Sequence, residues 1–160
     1  MTDASGKQIS SDTTILSQSE ADRLISIEKE CLGDKKYTYP SPSESLEISL
    51  QSTDKREQFK LTIRPGKISI SKVTNQLREK NTNTVLVRVD IGNVKHTNPD
   101  DTVIEGNHIH LYREGYEDTF AYPLPSQFTN PQNPYVTLDE FMKYCQVTKV
   151  PVIIRGIDQW

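Results

Sequence analysis

Histidine and tyrosine side chains concentrate in one short stretch of the sequence. All three histidines, His96, His108 and His110, lie within 15 residues of one another. His108, His110 and Tyr112 are spaced two residues apart, so on a β-strand their side chains project from the same face. The aliphatic residues between them project from the other face, toward the predicted core. We therefore expect the three polar side chains on an open face of a sheet.

Residues of these types suit metal-independent cleavage of RNA. The reaction needs a base for the 2′-hydroxyl, an acid for the leaving 5′-oxygen and cations for the charged phosphorane. Histidine suits the first two roles because its unperturbed pKa of about 6.5 populates both forms, and arginine binds phosphate through two parallel hydrogen bonds. The predicted site has catalytic residues His108, His110 and Tyr112, phosphate-binding residues Lys72, Arg78, Arg88 and Arg113, and supporting residues His96, Asp90 and Glu114.

A metal site is an alternative for the same histidines. Two imidazoles on one strand face, with a third residue from a loop, are able to hold zinc or iron. The spacing His108-x-His110 followed by Glu114 also resembles the first metal motif of cupins. That motif has glycines where this sequence has Thr102 and Ala121, and no histidine follows His110 to form a second motif. The prediction therefore includes no metal ligand and no cofactor.

A polar face with no chemistry, or one that binds a protein, is the remaining alternative. Histidine and arginine on a strand are able simply to satisfy cross-strand partners such as Asp90, Glu114 or Asp118. The sequence contains no phosphate-cradling glycine loop, no Cys-x-x-Cys pair and no Gly-x-Ser-x-Gly elbow. ATP use, zinc fingers and serine hydrolysis are therefore disfavoured.

Basic residues are unevenly distributed along the chain, whose net charge is −3. Residues 55–95 carry ten basic and three acidic side chains, residues 1–54 carry five and ten, and residues 96–160 carry four and nine. A cation-rich segment between acidic ends favours a surface that binds RNA or DNA phosphates. The alternative is that exposed strands use lysine and arginine to prevent edge-to-edge aggregation.

Short strands and two helices are expected to position these residues. Apolar spacing predicts one helix near 19–32, ended by Gly33, and a second opened by a capping box at 137–140. Alternation predicts strands at 46–50, 59–63, 68–71, 85–91, 108–113 and 120–124, and a final edge strand at 150–154. Residues 93–106 and 125–136 are expected to be loops, with a turn at Asn98-Pro99-Asp100. The predicted fold is α+β, an antiparallel meander of about six strands with an N-terminal and a C-terminal helix packed on one face.

The overall composition indicates a single domain in a reducing compartment. Residues 1–17 have no periodicity and are expected to be a disordered lead, with residues 18–160 forming one α+β domain. No apolar run approaches the 18 residues of a membrane span, and because residues 1–19 lack an apolar stretch we expect no signal peptide. Cys31 and Cys145 occupy apolar positions of the predicted helices, which favours buried thiols. We expect a cytoplasmic protein with no membrane partner. The sequence does not indicate an oligomeric state.

Six stretches of the sequence carry a family resemblance. They are Ser71-Lys72, Gln76-Leu77-Arg78, Val87-Arg88-Val89-Asp90, His96-Thr97-Asn98-Pro99-Asp100, His108-Ile109-His110-Leu111-Tyr112-Arg113-Glu114-Gly115-Tyr116 and Ala121-Tyr122-Pro123-Leu124. They resemble a family of small uncharacterised proteins of bacteria, phages and mobile elements, classed as a domain of unknown function, and the resemblance covers most of residues 18–148. The setting that it implies favours a toxin-like endoribonuclease acting on RNA. The alternative is a non-enzymatic anti-defence protein that binds and inhibits a host nucleic-acid-handling protein.

Overall fold

Two helices and twelve strands make up the described part of the chain, residues 15–67, 72–92 and 94–155 of a computed structural model. The helices are α1 (Gln18–Ser26) and α2 (Pro134–Tyr144). The strands are β1 (Lys29–Cys31), β2 (Lys36–Thr38), β3 (Leu46–Ser52), β4 (Gln58–Pro65), β5 (Val73–Glu79), β6 (Thr84–Ile91), β7 (Lys95–Thr97), β8 (Val103–Glu105), β9 (His108–Leu111), β10 (Ala121–Pro123), β11 (Val147–Lys149) and β12 (Val152–Ile154). The predicted α+β class is confirmed.

One large sheet contains eight of the described strands. Its order is β10-β9-β6-β5-β4-β3-β1-β11, and every neighbouring pair is antiparallel except β1 with β11. Two small sheets pair β12 with β2 in parallel and β7 with β8 antiparallel. The strands predicted at 46–50, 59–63, 85–91, 108–113 and 120–124 correspond to β3, β4, β6, β9 and β10. The large sheet is thus mostly antiparallel, as expected.

The hydrophobic core includes residues of the large sheet and of both helices. Leu24 of α1 and Phe141 of α2 belong to the same buried cluster as Val87, Val89 and Ile109. Side chains on a strand alternate between the two faces of the sheet. The residues between these core positions on β6 and β9 therefore project from the opposite face, which is where the candidate site lies.

Both helices have boundaries that differ from the predicted ones. The first was expected to continue to residue 32, but Ile27 already has an extended backbone and β1 follows. The second begins at Pro134 rather than at the predicted capping box, because the Asn133 side chain accepts the free N–H groups of its first turn. A proline in the first turn costs no hydrogen bond because its nitrogen would have no helical partner there.

Several strands form where none was expected. Strand β5 contains the buried polar residues Asn75 and Gln76, which hide its alternation. The segment 93–106 was expected to be a loop, but it contains the hairpin of β7 and β8. Cys31 lies on β1 rather than on a helix, although both Cys31 and Cys145 are buried and free.

Two predictions fall outside the described residues, namely the strand at 68–71 and residues 1–14 of the expected disordered lead. The final predicted strand corresponds to β12, which is in the small sheet with β2. Neither helix in the described ranges has the length and apolarity needed to cross a bilayer.

Lys29 holds a buried ammonium group where the two helices end. Its Nζ atom donates hydrogen bonds to the backbone carbonyls of Ile25 and Ile27, each at 2.9 Å, and of Cys145 at 2.8 Å. The same atom lies 4.9 Å from the centre of the Phe59 ring. Burial lowers the pKa of Lys29 to about 8 because loss of water disfavours the charged form.

We expect the stability that Lys29 provides to depend on pH. Its folded-state pKa of about 8 lies below its ordinary value of 10.5. The folded chain therefore binds fewer protons than the unfolded chain between these values, and stability rises with pH across that window. The unfolding free energy of the wild type relative to Lys29→Met should increase there by up to about 3 kcal/mol, measured by urea unfolding at both ends of the window. Lys36→Met, at an exposed position of β2, is the control. An unfolding free-energy difference between wild type and Lys29→Met that is the same at both pH values would refute the expectation.

Candidate functional site

Four polar residues of β6 and β9 meet on the face of the sheet opposite the core. The antiparallel register places Asp90 directly opposite His108, and Arg88 directly opposite His110. Side chains opposed in this way have Cβ atoms about 4.5–5.5 Å apart, so the register alone brings the four together. We call these four residues the Asp90 cluster. The prediction that His108 and His110 share one face is confirmed.

The Asp90 carboxylate is the shared partner in this cluster. Its Oδ2 atom lies 3.1 Å from Nε2 of His110 and 3.2 Å from Nε2 of His108. The Arg88 Nε atom is also 3.2 Å from Oδ2, and the Thr74 hydroxyl donates to Oδ1 at 2.8 Å. Asp90 is therefore held by two histidines, one arginine and one threonine.

The charge on Asp90 is fixed by these contacts. Burial alone raises the pKa of a carboxyl group, because the charged form loses water. Donation from His110 when its Nε2 is protonated, from the Arg88 guanidinium and from the Thr74 hydroxyl outweighs burial and holds the pKa of Asp90 well below its usual range. Asp90 is consequently a permanent negative charge at neutral pH.

Both histidines of the cluster are oriented by backbone carbonyls. The Nδ1 atom of His108 is 2.9 Å from the Gly106 oxygen, and that of His110 is 2.8 Å from the Asp118 oxygen. A carbonyl only accepts, so both Nδ1 atoms carry the proton and donate it. In the neutral rings the lone pairs are then on the two Nε2 atoms, so their 3.1 and 3.2 Å contacts with Asp90 Oδ2 are attractive only when a proton or another cation lies between the atoms. For His110 the Arg88 Nη2 atom, a donor, lies 2.9 Å from Nε2 and supports this tautomer.

The hairpin of β7 and β8 covers the cluster, so the expected open face is wrong for the two histidines. His108 is 2% exposed and His110 is 0% exposed. The His96 ring on β7 has its centre 4.7 Å from that of His110 and 5.8 Å from that of His108. The Nε2 atom of His96 donates to the Thr119 carbonyl at 2.7 Å. The three histidines thus converge, with His108 and His110 buried and His96 half-buried.

Asn98 holds this hairpin against the edge of the large sheet. Its buried side-chain amide donates to the Ala121 carbonyl at 3.0 Å and accepts from the Ala121 N–H at 2.8 Å. The turn that follows is stabilised by Asp100, whose carboxylate accepts the Thr102 N–H at 3.0 Å. The predicted turn at Asn98-Pro99-Asp100 is confirmed.

A basic hollow of about 430 Å³ lies beside the Asp90 cluster. Four cationic side chains line it, those of Arg64, Lys67, Lys72 and Arg88. Among the described lining residues, Asp90 is the one acidic side chain. Arg64, Lys67 and Lys72 are exposed and form no ion pair with any residue in the described ranges. The hollow therefore carries a net positive charge.

Two residues connect the hollow to its surroundings. Arg88 lines it while its Nη1 atom pairs with the Asp118 carboxylate at 3.0 Å, so this arginine stands between the hollow and the cluster. At Gly92, where φ is +122°, an added Cβ would lie 2.6 Å from Cγ of Lys72. The close approach of the Lys72 side chain to the backbone thus requires a glycine.

Tyr112 and Arg78 were predicted in the site but lie elsewhere. Strand β9 ends at Leu111, so its alternation does not extend to Tyr112, whose hydroxyl donates to the Leu16 carbonyl at 2.6 Å. Arg78 pairs with the Glu47 carboxylate on β3 at 3.2 Å. Neither side chain contacts the Asp90 cluster.

Arg113 and Glu114 are also outside the site. The Arg113 guanidinium stacks on Phe120, 4.3 Å from the centre of the ring. The Glu114 carboxylate accepts the Gln18 N–H at 2.8 Å, at the start of α1. The glutamate of the cupin-like spacing therefore belongs to a helix contact and is not a partner of His108 and His110.

Thr74, Arg64 and Lys67 belong to the site although no sequence prediction included them. Thr74 precedes two other polar residues at alternate positions, Gln76 and Arg78, a period of two that is typical of a strand face. Arg64 and Lys67 contribute to the positive charge of residues 55–95. The distribution of charge therefore indicated this region without identifying the residues.

Comparison with known proteins gives one result. The sequence model of a family of unknown function, DUF6978, matches residues 16–147. Comparisons with curated proteins and with solved structures give no match. The matched range includes every residue of the Asp90 cluster and of the basic hollow.

Removal of the Asn98 amide should loosen the cover over the cluster. Asn98→Ala leaves the N–H and carbonyl of Ala121 without these partners, at a cost of about 1–3 kcal/mol in unfolding free energy. Urea unfolding measures the loss, and amide hydrogen exchange at Ala121 should become faster. Thr97→Ala, an exposed substitution on the same hairpin, is the matched control. Equal stabilities for the two variants would show that the amide does not hold the hairpin.

Proposed function

The chain belongs to the DUF6978 family, whose function is unknown, and we propose that it acts on RNA by binding the phosphate backbone in the basic hollow. The observation that carries this proposal is the charge of the hollow, where Arg64, Lys67, Lys72 and Arg88 surround the single carboxylate of Asp90. Its volume of about 430 Å³ lies within the range of about 300–1,000 Å³ that is usual for ligand sites.

The unpaired cations favour a phosphate ligand. Ion pairing of lysine and arginine with phosphates releases condensed counterions and supplies most of the non-specific affinity for nucleic acids. Lys67, Lys72 and Arg64 form no ion pair with a carboxylate of the described residues that a phosphate would have to replace. Arg88 adds a planar guanidinium, which suits phosphate oxygens. Binding of a polyanion here therefore requires little rearrangement of existing ion pairs.

The lining also indicates how RNA would be recognised. Sequence-tolerant binding of bases normally uses aromatic side chains as stacking surfaces. The described residues that line the hollow include none. We therefore expect contacts to phosphates and sugars, low sequence preference and a strong dependence of affinity on salt.

Burial of the histidines bears on whether the RNA is also cleaved. The expected acid and base roles of His108 and His110 need direct contact with the 2′-hydroxyl and the 5′-oxygen. Both rings are nearly fully buried and their Nε2 atoms face Asp90. This geometry favours RNA binding over metal-independent cleavage, with Arg88 as the residue that contacts both the hollow and the cluster.

A cytoplasmic location belongs to the same proposal. Proteins that act on cellular RNA work in a compartment where thiols stay reduced. Cys31 and Cys145 support this setting because both are buried and neither forms a disulfide.

Loss of two lysines from the hollow should weaken RNA binding. The double variant Lys67→Ala/Lys72→Ala removes two phosphate partners, which should reduce affinity about two- to fivefold for each lysine. The slope of log affinity against log salt should fall by about 0.7 for each phosphate that is no longer neutralised. Fluorescence anisotropy with a labelled single-stranded RNA measures both quantities. The control Lys36→Ala/Lys143→Ala removes the same charge from exposed positions outside the hollow and should keep the wild-type slope.

Equal losses in the two double variants, or no RNA binding by the wild type at low salt, would contradict the proposal. A stable stoichiometric complex with a nucleic-acid-handling protein would then favour the anti-defence alternative. Incubation of the labelled RNA with the protein and a chelator tests cleavage separately. Intact RNA is the expected result, whereas fragments that disappear with His110→Gln would restore the metal-independent mechanism.

A further inference from the structure

Three ligand atoms of a kind that bind metal ions converge in the Asp90 cluster. The nearest ligand atoms of Asp90, His108 and His110 all lie within 4.8 Å of one another. Two imidazole nitrogens with one carboxylate oxygen form a ligand set that is common for zinc and for non-haem iron. We propose that Asp90, His108 and His110 bind one divalent transition-metal ion.

The distances fit a single ion. Ligand atoms about 2.0–2.1 Å from a tetrahedral zinc ion lie about 3.3 Å from one another. The Asp90 Oδ2 atom is 3.1 Å from Nε2 of His110 and 3.2 Å from Nε2 of His108. The two imidazole nitrogens lie within 4.8 Å of each other, so an ion between the three atoms needs them to approach by at most about 1.5 Å.

The contacts behind the three ligands support the same conclusion. Metal-binding histidines usually donate their other ring N–H to a carbonyl or carboxylate, which fixes the tautomer and directs the free nitrogen at the metal. His108 donates to Gly106 and His110 to Asp118 in this way. Asp90 presents Oδ2 at the shared position, where it also accepts from Arg88 Nε at 3.2 Å, and Oδ1 accepts from Thr74. All three ligands are thus oriented before any ion binds.

The direct ion pairs of the cluster leave room for a cation. With neutral imidazoles, the Asp90 and Asp118 carboxylates pair with one guanidinium, that of Arg88, whereas Arg64, Lys67 and Lys72 of the hollow pair with neither carboxylate. Arg88 donates to Nε2 of His110, where it occupies the lone pair that the ion would use. Metal binding therefore competes with Arg88, which keeps its separate bond to Asp118. Arg88 is a competitor of the metal and not a ligand.

The ligand types also select the metal. Imidazole nitrogen suits Zn²⁺, Co²⁺ and Fe²⁺, whereas Mg²⁺ and Ca²⁺ prefer oxygen ligands. Three protein ligands leave at least one coordination position for water or a substrate, as in catalytic rather than structural zinc sites. The site uses Asp90 in place of Glu114, the residue of the cupin-like spacing, since Glu114 binds the start of α1.

A metal titration of the chelator-treated full chain tests this inference. Co²⁺ is followed by its visible absorption and Zn²⁺ by competition, and one ion per chain is expected, with no comparable uptake of Mg²⁺. Asp90→Asn should weaken Co²⁺ binding more than about tenfold, and Thr74→Val about tenfold through loss of orientation. The matched carboxylate-to-amide control Glu114→Gln should leave the affinity unchanged. Arg88→Gln should raise the affinity, because it removes the competing donor.

The signs of these changes decide the outcome. The proposal is overturned if the wild type takes up neither ion, if Asp90→Asn and Glu114→Gln behave alike, or if Arg88→Gln lowers the affinity. Should Asp90→Asn fail to fold, Thr74→Val and Arg88→Gln still give opposite expectations. The titration contains no RNA, so its result is independent of whether the basic hollow binds a phosphate backbone.

Discussion

The candidate site depends on the interactions of the Asp90 carboxylate with its neighbours. Asp90 lies on β6, directly opposite His108 of β9 on one side and Thr74 of β5 on the other. Arg88 is two residues away on the same face of β6. Because each of these neighbours follows from strand register, a slip of one residue between β6 and β9 would send the histidines to the core face and dissolve the group. The same register that aligns Val89 with Ile109 in the core therefore assembles the polar cluster on the other face.

Burial of the two histidines changes the chemistry that the cluster is able to perform. On an open face, the histidines would be candidates for acid–base catalysis with direct access to a substrate. Under the hairpin that carries His96, they are shielded, oriented by carbonyls and directed at one carboxylate. A buried polar group is costly unless its atoms are paired, and the Nδ1 atoms of both histidines and both oxygens of Asp90 have partners. Contact with a ligand from solvent is then made by Arg88 and the basic hollow beside it.

The sequence predicted the parts of this arrangement that depend on local pattern. The alternation of β6 and β9 correctly assigned Arg88, Asp90, His108 and His110 to one side of their strands, because side-chain parity is a local property. It did not predict the cover over them, because β7 and β8 are only three residues each and are held by the tertiary contact of Asn98. The positive charge of residues 55–95 was visible, but its division into paired cations on the sheet and unpaired cations at the hollow depends on register. Tyr112 was misplaced because the end of β9 is set by the chain that follows it.

Direct observation of the imidazole nitrogens would test the central claim that His108 and His110 present their Nε2 lone pairs to a common position at Asp90. Long-range proton–nitrogen NMR spectra of the ¹⁵N-labelled protein report each ring nitrogen separately, before and after one equivalent of Zn²⁺. Both Nδ1 atoms should stay protonated throughout, and zinc should shift the Nε2 resonances of these two rings, whereas Nε2 of His96 should keep its proton. Nε2 resonances of His108 and His110 that do not respond to zinc would contradict the claim.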